Sequence, residues 1–299
     1  MSFYENIKKI YNKLKNTKGG KNADYIKELS NVNPNLYAIS IYTVDGQKFD
    51  IGDYKEEISI QSCSKIFTLA LALEKYGIKY IKETIHSNKS IENFDSICEV
   101  DKEANHSINP FVNAGAMATT SLLYNSNSEQ FIKNIVNNMN KFADKKLHVN
   151  NKIYNSEKLN NNRNLAIAHL LKGYNNFYGD VEKTVNVYTK QCSVMVTSED
   201  IALMAATLAN GGKNPKSGLQ VISKKNTNYI IDQMCISGLY NETDNWMKEV
   251  GFPGKSGVSG ILLIVIPGTM GISIISPPLN KYGNSVKGIK TAKTISKIM

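Results

Sequence analysis

Ser62 and Lys65 stand three residues apart in the run Ser62-Cys63-Ser64-Lys65. The stretch that follows, Ile66-Phe67-Thr68-Leu69-Ala70-Leu71-Ala72-Leu73-Glu74, is built of strong helix formers and is predicted to be helical as far as Gly77. Residues i and i+3 are neighbours on a helical turn, so the lysine amine reaches the serine hydroxyl. A serine hydroxyl is a weak nucleophile until a base takes its proton. Lysine serves as that base only where burial or nearby positive charge lowers its pKa. A helix N-terminus also favours an oxyanion beside it. The pattern suits acyl transfer, with Ser62 as the nucleophile of an amide hydrolase and Lys65 as its base. Both residue types are common, so the spacing alone is weak. His86, His106, His148 and His169 lie in no setting that would build a competing triad.

A second motif adds to the first. Lys255-Ser256-Gly257 stands just before a strand beginning near Ile261. It resembles the Lys-Thr-Gly strand motif of serine β-lactamases and penicillin-binding proteins. In that pairing the strand edge supplies one oxyanion N–H and the nucleophile's own backbone the other. The plainer reading is a turn leading into a strand.

The elements that must position these motifs are legible in outline. Residues 36 to 51 read as a hairpin with its turn at Asp45-Gly46. Ile261 to Ile266 and Gly271 to Ile275 read as a second hairpin, turning at Pro267-Gly268 and ended by Pro277-Pro278. Asp200 to Ala209 reads as a helix with Ser198 as its N-cap and Gly211-Gly212 as its stop. The fold class is α+β. It is an antiparallel sheet built from both chain ends, with helices on it and an all-helical region inserted. The expected organisation is a single domain over 1–299. Its sheet-containing part covers about 1–85 and 220–299, and its helical part about 86–219.

Composition narrows the function classes. The chain has 299 residues, of which 41% are hydrophobic, enough for a large buried core. The formal net charge is +10, but Arg163 is the only arginine, and the lysines are scattered among asparagines. Nucleic-acid and phosphate sites favour arginine's planar fork, so no nucleic-acid partner is expected. Phe3, Ile7, Ile10, Tyr11 and Leu14 recur at helical spacing, predicting an amphipathic helix packed on the body or a sister subunit. The start Met1-Ser2-Phe3-Tyr4-Glu5-Asn6 lacks the apolar core of a secretory signal. The longest apolar runs, Ile201 to Ala206 and Ile261 to Ile266, fall far short of the roughly 20 residues of a membrane span. Cys63, Cys98, Cys192 and Cys235 show neither zinc nor redox spacing. A cytoplasmic protein with free thiols and no membrane partner is expected.

Longer runs carry a resemblance. Ser59-Ile60-Gln61-Ser62-Cys63-Ser64-Lys65, Asn109-Pro110-Phe111-Val112-Asn113-Ala114-Gly115-Ala116 and Tyr154-Asn155-Ser156-Glu157 come first. Asn162-Arg163-Asn164-Leu165-Ala166, Tyr188-Thr189-Lys190-Gln191-Cys192-Ser193, Gly254-Lys255-Ser256-Gly257-Val258 and Pro278-Leu279-Asn280 follow. In this order the chain, from about Asp24 to Gly288, resembles the serine-dependent glutaminases of bacterial type, related to the kidney-type enzyme, with a β-lactamase-like fold. The resemblance implies hydrolysis of L-glutamine to L-glutamate and ammonia. It implies a Ser62 acyl-enzyme, Lys65 as base and Tyr240 as a proton relay. The backbone N–H groups of Ser62 and Val258 would form the oxyanion hole. Tyr25, Asn113, Glu157, Asn164 and Tyr188 would hold the substrate alongside Ser62, Tyr240 and Val258. A carboxylate suits glutamine's ammonium, and Asn and Tyr donors suit its carboxylate. No metal or organic cofactor is implied; a homo-oligomer is, with a homotetramer as its suggested form. Cys63 replaces an aliphatic residue, and Ser259 and Ile261 replace glycines, of the family pattern. Ile261 is thereby expected to narrow the pocket or shift Val258.

Two other classes compete. A penicillin-recognising enzyme would share the fold but act outside the cytoplasm. A catalytically dead sensor or basic binding protein would have no use for an intact Ser62, Lys65 and Tyr240.

Overall fold

The computed structural model describes residues 2–90 and 92–299. Met1, at the head of the segment read for a signal, lies outside them. Seven strands are described: β1 Ala38–Thr43, β2 Lys48–Gly52, β3 Ile58–Ser59, β4 Met195–Val196, β5 Gly254–Gly257, β6 Ile261–Ile266 and β7 Met270–Ile275. Five of them form one antiparallel sheet in the order β2-β1-β7-β6-β5. β1 and β2 come from the N-terminal part of the chain and β5 to β7 from the C-terminal part, so both chain ends build the sheet as expected. The Asp45-Gly46 and Pro267-Gly268 turns close the two predicted hairpins. β3 and β4 pair separately.

Side-chain alternation separates two cores. Ile39, Ile41, Leu262, Ile264, Ile272 and Ile274 point to one face, where Ile7 and Ile10 of helix Phe3–Leu14 and Ala292 and Ile295 of helix Val286–Ser296 cover them. The amphipathic N-terminal segment therefore packs on the body of its own chain. Ala38, Ile261, Leu263, Val265 and Ile275 point to the other face and join the larger core beneath the helices. Helix Ser198–Ala209 lies directly on that face. Gly271 permits the approach, since a Cβ there would sit 2.2 Å from the Ala206 nitrogen. This helix falls in the stretch read as the helical insert, yet it packs on the sheet.

Two helix boundaries differ from expectation. Thr197, not Ser198, caps helix Ser198–Ala209: its side chain accepts from the Asp200 N–H while Asp200 returns a bond to the Thr197 N–H. That reciprocal box satisfies two end donors, whereas Ser198 turns inward to donate to the Ser273 hydroxyl. Gly77 does not end the helix after Ser62. Its φ of 78° kinks helix Ser64–Ile85, which resumes because Ile81 and Ile85 still have core to enter.

The motif Asn109 to Ala116 is a folding device before it is anything else. The Asn109 side-chain oxygen accepts from the Phe111 and Val112 N–H groups, and its amide donates to the Asn88 carbonyl. Helix Asn113–Leu122, wholly buried, then starts against this loop. Gly115 lies so close that a Cβ would fall 1.9 Å from the Asn109 carbonyl oxygen. Gly115→Ala is expected to cost roughly 3 kcal/mol, at the upper end for overpacking. Thermal unfolding monitored by circular dichroism checks this, with a melting point several degrees below wild type as the expected result.

Candidate active site

Ser62 sits in a single 3-10 turn, Gln61–Cys63, that feeds helix Ser64–Ile85. Gln61 adopts a φ of 48°, a conformation uncommon outside glycine and often found at functional sites. The turn is clamped from the sheet side. Gly257 at the end of β5 is tight against it, since a Cβ there would lie 3.1 Å from the Ile60 oxygen. The Cys63 thiol also faces the Lys255 carbonyl at 3.5 Å. Lys255-Ser256-Gly257 thus forms an edge strand beside Ser62, and the turn reading of that motif is set aside.

A cavity of about 430 Å³ opens over this turn, within the range of small-molecule sites. Its walls include Tyr25, Ser62, Asn113, Glu157, Asn164, Tyr188 and Val258. The structure therefore brings together every residue expected to hold a substrate except Tyr240. Lys65 and Tyr240 lie behind the wall rather than on it. The cavity is assembled from separate elements: the start of helix Asn113–Leu122, helix Asn151–Leu159 for Glu157, helix Asn162–Gly173 for Asn164, helix Val181–Cys192 for Tyr188, and the β5–β6 turn for Val258. Tyr25 is half-exposed at the mouth.

Lys65 is 1% exposed. Its amine donates to the Phe111 carbonyl at 2.9 Å and to Asn113 Oδ1 at 2.7 Å. Burial holds its pKa down at about 8, against the opposing pull of Cys192, Asp95, Cys63 and Glu157. Asn113 Oδ1 also accepts from the Tyr188 hydroxyl at 3.1 Å. The network continues outward from Asn113 Nδ2 to Asn164 Oδ1, then from Asn164 Nδ2 to Asn161 Oδ1. Asparagine suits this relay because each side chain both accepts and donates.

Burial pushes the Glu157 carboxyl up to about 7, opposed by a long 3.5 Å hydrogen bond from Gln61 and by the charge of Lys65. Glu157 can thus be deprotonated above neutrality or paired with an incoming cation. Tyr240 has a φ of 54° and a fully enclosed hydroxyl that makes no hydrogen bond of good geometry. Burial raises its pKa strongly, and the neighbouring Ser62 hydroxyl opposes that rise.

Ile261 does not narrow the cavity. It is fully buried in the larger core, pairs with Gly257 and Ile275, and does not line the site. The alternation along β6 turns its side chain into that core.

Sequence reasoning missed several residues here. Arg163, noted as the sole arginine and as part of a resemblance run but given no site role, lines the cavity and grips Asp95, its Nε lying 3.0 Å from the carboxylate and 2.8 Å from the carbonyl oxygen. Phe94, Asp95, Asn160 and Cys192 also line it. The run Asn162-Arg163-Asn164 carried the only available signal for Arg163. None of the four histidines reaches the cavity, and His106 is engaged in stacking on Tyr174. The four cysteines are free. Among the described residues, no group of His, Cys, Asp or Glu is placed to hold a metal ion, and no helix is long and apolar enough to cross a membrane.

Comparison with known proteins places this chain in a class. The family model described as Glutaminase matches residues 20–299. A glutaminase of Trichormus variabilis is 39% identical over 290 residues, covering 97% of this chain and 86% of its own. A glutaminase of Mycobacterium ulcerans is 42% identical over 277 residues, covering 93% and 87%. The solved structure of the probable glutaminase YbaS superposes with a TM-score of 0.96 at 38% identity, covering 99% of this chain and 96% of that one. The Bacillus subtilis glutaminase YbgJ superposes with a TM-score of 0.87 at 28% identity, covering 99% and 96%. It was solved as a covalent complex with 5-oxo-L-norleucine, formed by reaction with 6-diazo-5-oxo-L-norleucine. The fold is the β-lactamase-like α+β fold, and the enzyme class is that of the glutaminases, which are amidohydrolases. The chain belongs to the glutaminase family.

Proposed function

We propose that the cavity hydrolyses L-glutamine through a Ser62 acyl-enzyme, with Lys65 as the base. The observation that carries this reading is the environment of the Lys65 amine. A neutral amine has two N–H groups and one lone pair. Both N–H groups are taken by the Phe111 carbonyl and Asn113 Oδ1. The lone pair is left for the hydroxyl one turn away, and a pKa of about 8 makes the neutral form accessible.

In this reading Lys65 takes the Ser62 proton while Oγ attacks the side-chain amide carbon. The backbone N–H groups of Ser62 and Val258 receive the oxyanion. As the C–N bond breaks, the proton passes from Lys65, with Tyr240 as relay, to the departing nitrogen, which leaves as ammonia. Water then attacks the ester with Lys65 again as base, releasing L-glutamate and restoring the Ser62 hydroxyl. Glu157 pairs with the α-ammonium, and Asn113, Asn164, Tyr188 and Tyr25 surround the rest of the amino acid. That the glutaminase YbgJ forms a covalent complex with 5-oxo-L-norleucine supports a covalent step in this reading. A cytoplasmic homotetramer needing no metal or organic cofactor is part of the same proposal.

The test is ammonia release from L-glutamine as a function of pH. Lys65 must be neutral, which it becomes above about 8, and Glu157 must be ionised, which it becomes above about 7. Both requirements act in one direction, so kcat/KM rises from pH 6, bends near 7 and levels above 8. A profile that falls over this range, or an absence of ammonia, would sink the reading.

A further inference from the structure

One buried amine is left without a task in the mechanism above. Lys255, on β5, is fully buried and is among the largest enclosed side chains of the protein. Its amine makes one hydrogen bond, to the Ser256 carbonyl at 2.9 Å. Its remaining valences face aromatic rings: Nζ lies 4.1 Å from the centre of the Tyr240 ring and 5.9 Å from that of Phe111. Burying an amine with so few partners is costly, and a core of this kind would normally use an apolar residue.

Tyr240 poses the complementary problem. Its hydroxyl has no hydrogen-bond partner to hold it, which leaves it available to Ser62. Its backbone sits at a φ of 54°, a strained position for a tyrosine that neighbours must enforce. The backbone is held by Thr243, whose hydroxyl donates to the Tyr240 carbonyl at 2.8 Å. The ring must be fixed by what touches it. Phe94 packs on it at 4.9 Å between centroids, and the Lys255 amine approaches closer still. The π face of a tyrosine attracts N–H donors whether or not the amine carries a proton. The Lys65 amine, 5.4 Å from the same centroid, completes the surround.

We propose that Lys255 is a positioning residue that holds the Tyr240 ring so that its unpartnered hydroxyl stays at Ser62. The inference rests on the reading of Tyr240 as the proton relay, and it gives Lys255-Ser256-Gly257 a second duty beside shaping the oxyanion strand. Lys255 acts through the tyrosine and does not touch the substrate cavity.

A double-mutant cycle on ammonia release from L-glutamine tests it. Lys255→Met keeps most of the side-chain volume and removes the N–H donors. Expected is a drop in kcat of about ten-fold or more with KM changed by less than about three-fold. Tyr240→Phe lowers kcat as well. In the Tyr240→Phe background, Lys255→Met is expected to have almost no further effect, because the hydroxyl it positions is gone. A core residue with only a packing role would lower the melting temperature and give no such coupling. Should Lys255→Met fail to fold, Lys255→Leu, which also lacks N–H donors, takes its place in the cycle, and a quiet or additive Lys255→Leu counts against the proposal equally. Unchanged kcat in the Lys255 variant, or additive losses, overturns the role of Lys255 while leaving the relay intact. Full activity in Tyr240→Phe overturns the relay and this inference together.

Discussion

Ser62→Ala removes ammonia release from L-glutamine, by about 10⁴-fold or more, while leaving the fold and the binding of L-glutamate in place. The small change in volume is at a partly open cavity wall, so no core contact is lost. What is lost is the only hydroxyl on the 3-10 turn between β3 and the central helix that faces both the cavity and Tyr240. A steady-state ammonia assay together with calorimetric titration of L-glutamate checks both halves. Residual activity within about ten-fold of wild type would mean that water, rather than Ser62, attacks the amide.

Lys65→Met is the second large effect. Methionine fills nearly the same space and cannot take a proton, so kcat is expected to fall by about 10³-fold, the middle of the range for losing a general base. Lys65→Arg is expected to be no better, because a guanidinium stays protonated and offers no lone pair. That second variant separates the two roles a cation might have here. If Lys65 only steadied negative charge, arginine would restore part of the rate. The Asn113 side chain loses one donor in Lys65→Met but keeps its bond from Tyr188, so the substrate cavity persists. Combining Lys65→Met with Ser62→Ala should be no worse than Ser62→Ala alone, since the base has nothing to activate once the hydroxyl is gone. Rates of ammonia release for the three variants decide this.

The parts of the fold that were legible in the sequence are those whose signal is local. Asp45-Gly46 and Pro267-Gly268 are turn dipeptides flanked by strand formers, and both hairpins formed where they fall. The misplaced cap is also a local matter: Thr197 and Ser198 are both good N-cap residues, and only the bond from Ser198 to Ser273 across the sheet decides between them. Gly77 looked like a stop because glycine breaks helices, but burial of Ile81 and Ile85 outweighs its cost. The pairing of β3 with β4 was out of reach, because two-residue strands far apart in the chain carry no periodicity.

The site divides in the same way. Ser62 and Lys65 were visible through their spacing. Tyr25, Asn113, Glu157, Asn164 and Tyr188 were visible only through the longer runs of the family resemblance, since singly each is an ordinary residue. The structure adds the physical reason for their company: five of the seven expected wall residues sit on or beside helix starts and ends that converge on one turn. The contacts of Lys255 and Arg163 were unreadable because they depend on partners distant in the chain, Tyr240 and Asp95. Ile261 shows the converse error. It looked obstructive beside Val258, yet strand alternation alone sends its side chain to the core.

The central claim is that Ser62 becomes covalently acylated. The most direct measurement is to treat the protein with 6-diazo-5-oxo-L-norleucine, digest it, and locate the adduct by mass spectrometry. One label on the peptide containing Ser62, and none in Ser62→Ala, is the predicted result. A label on Cys63 or Cys192 instead, or one that survives Ser62→Ala, would contradict it.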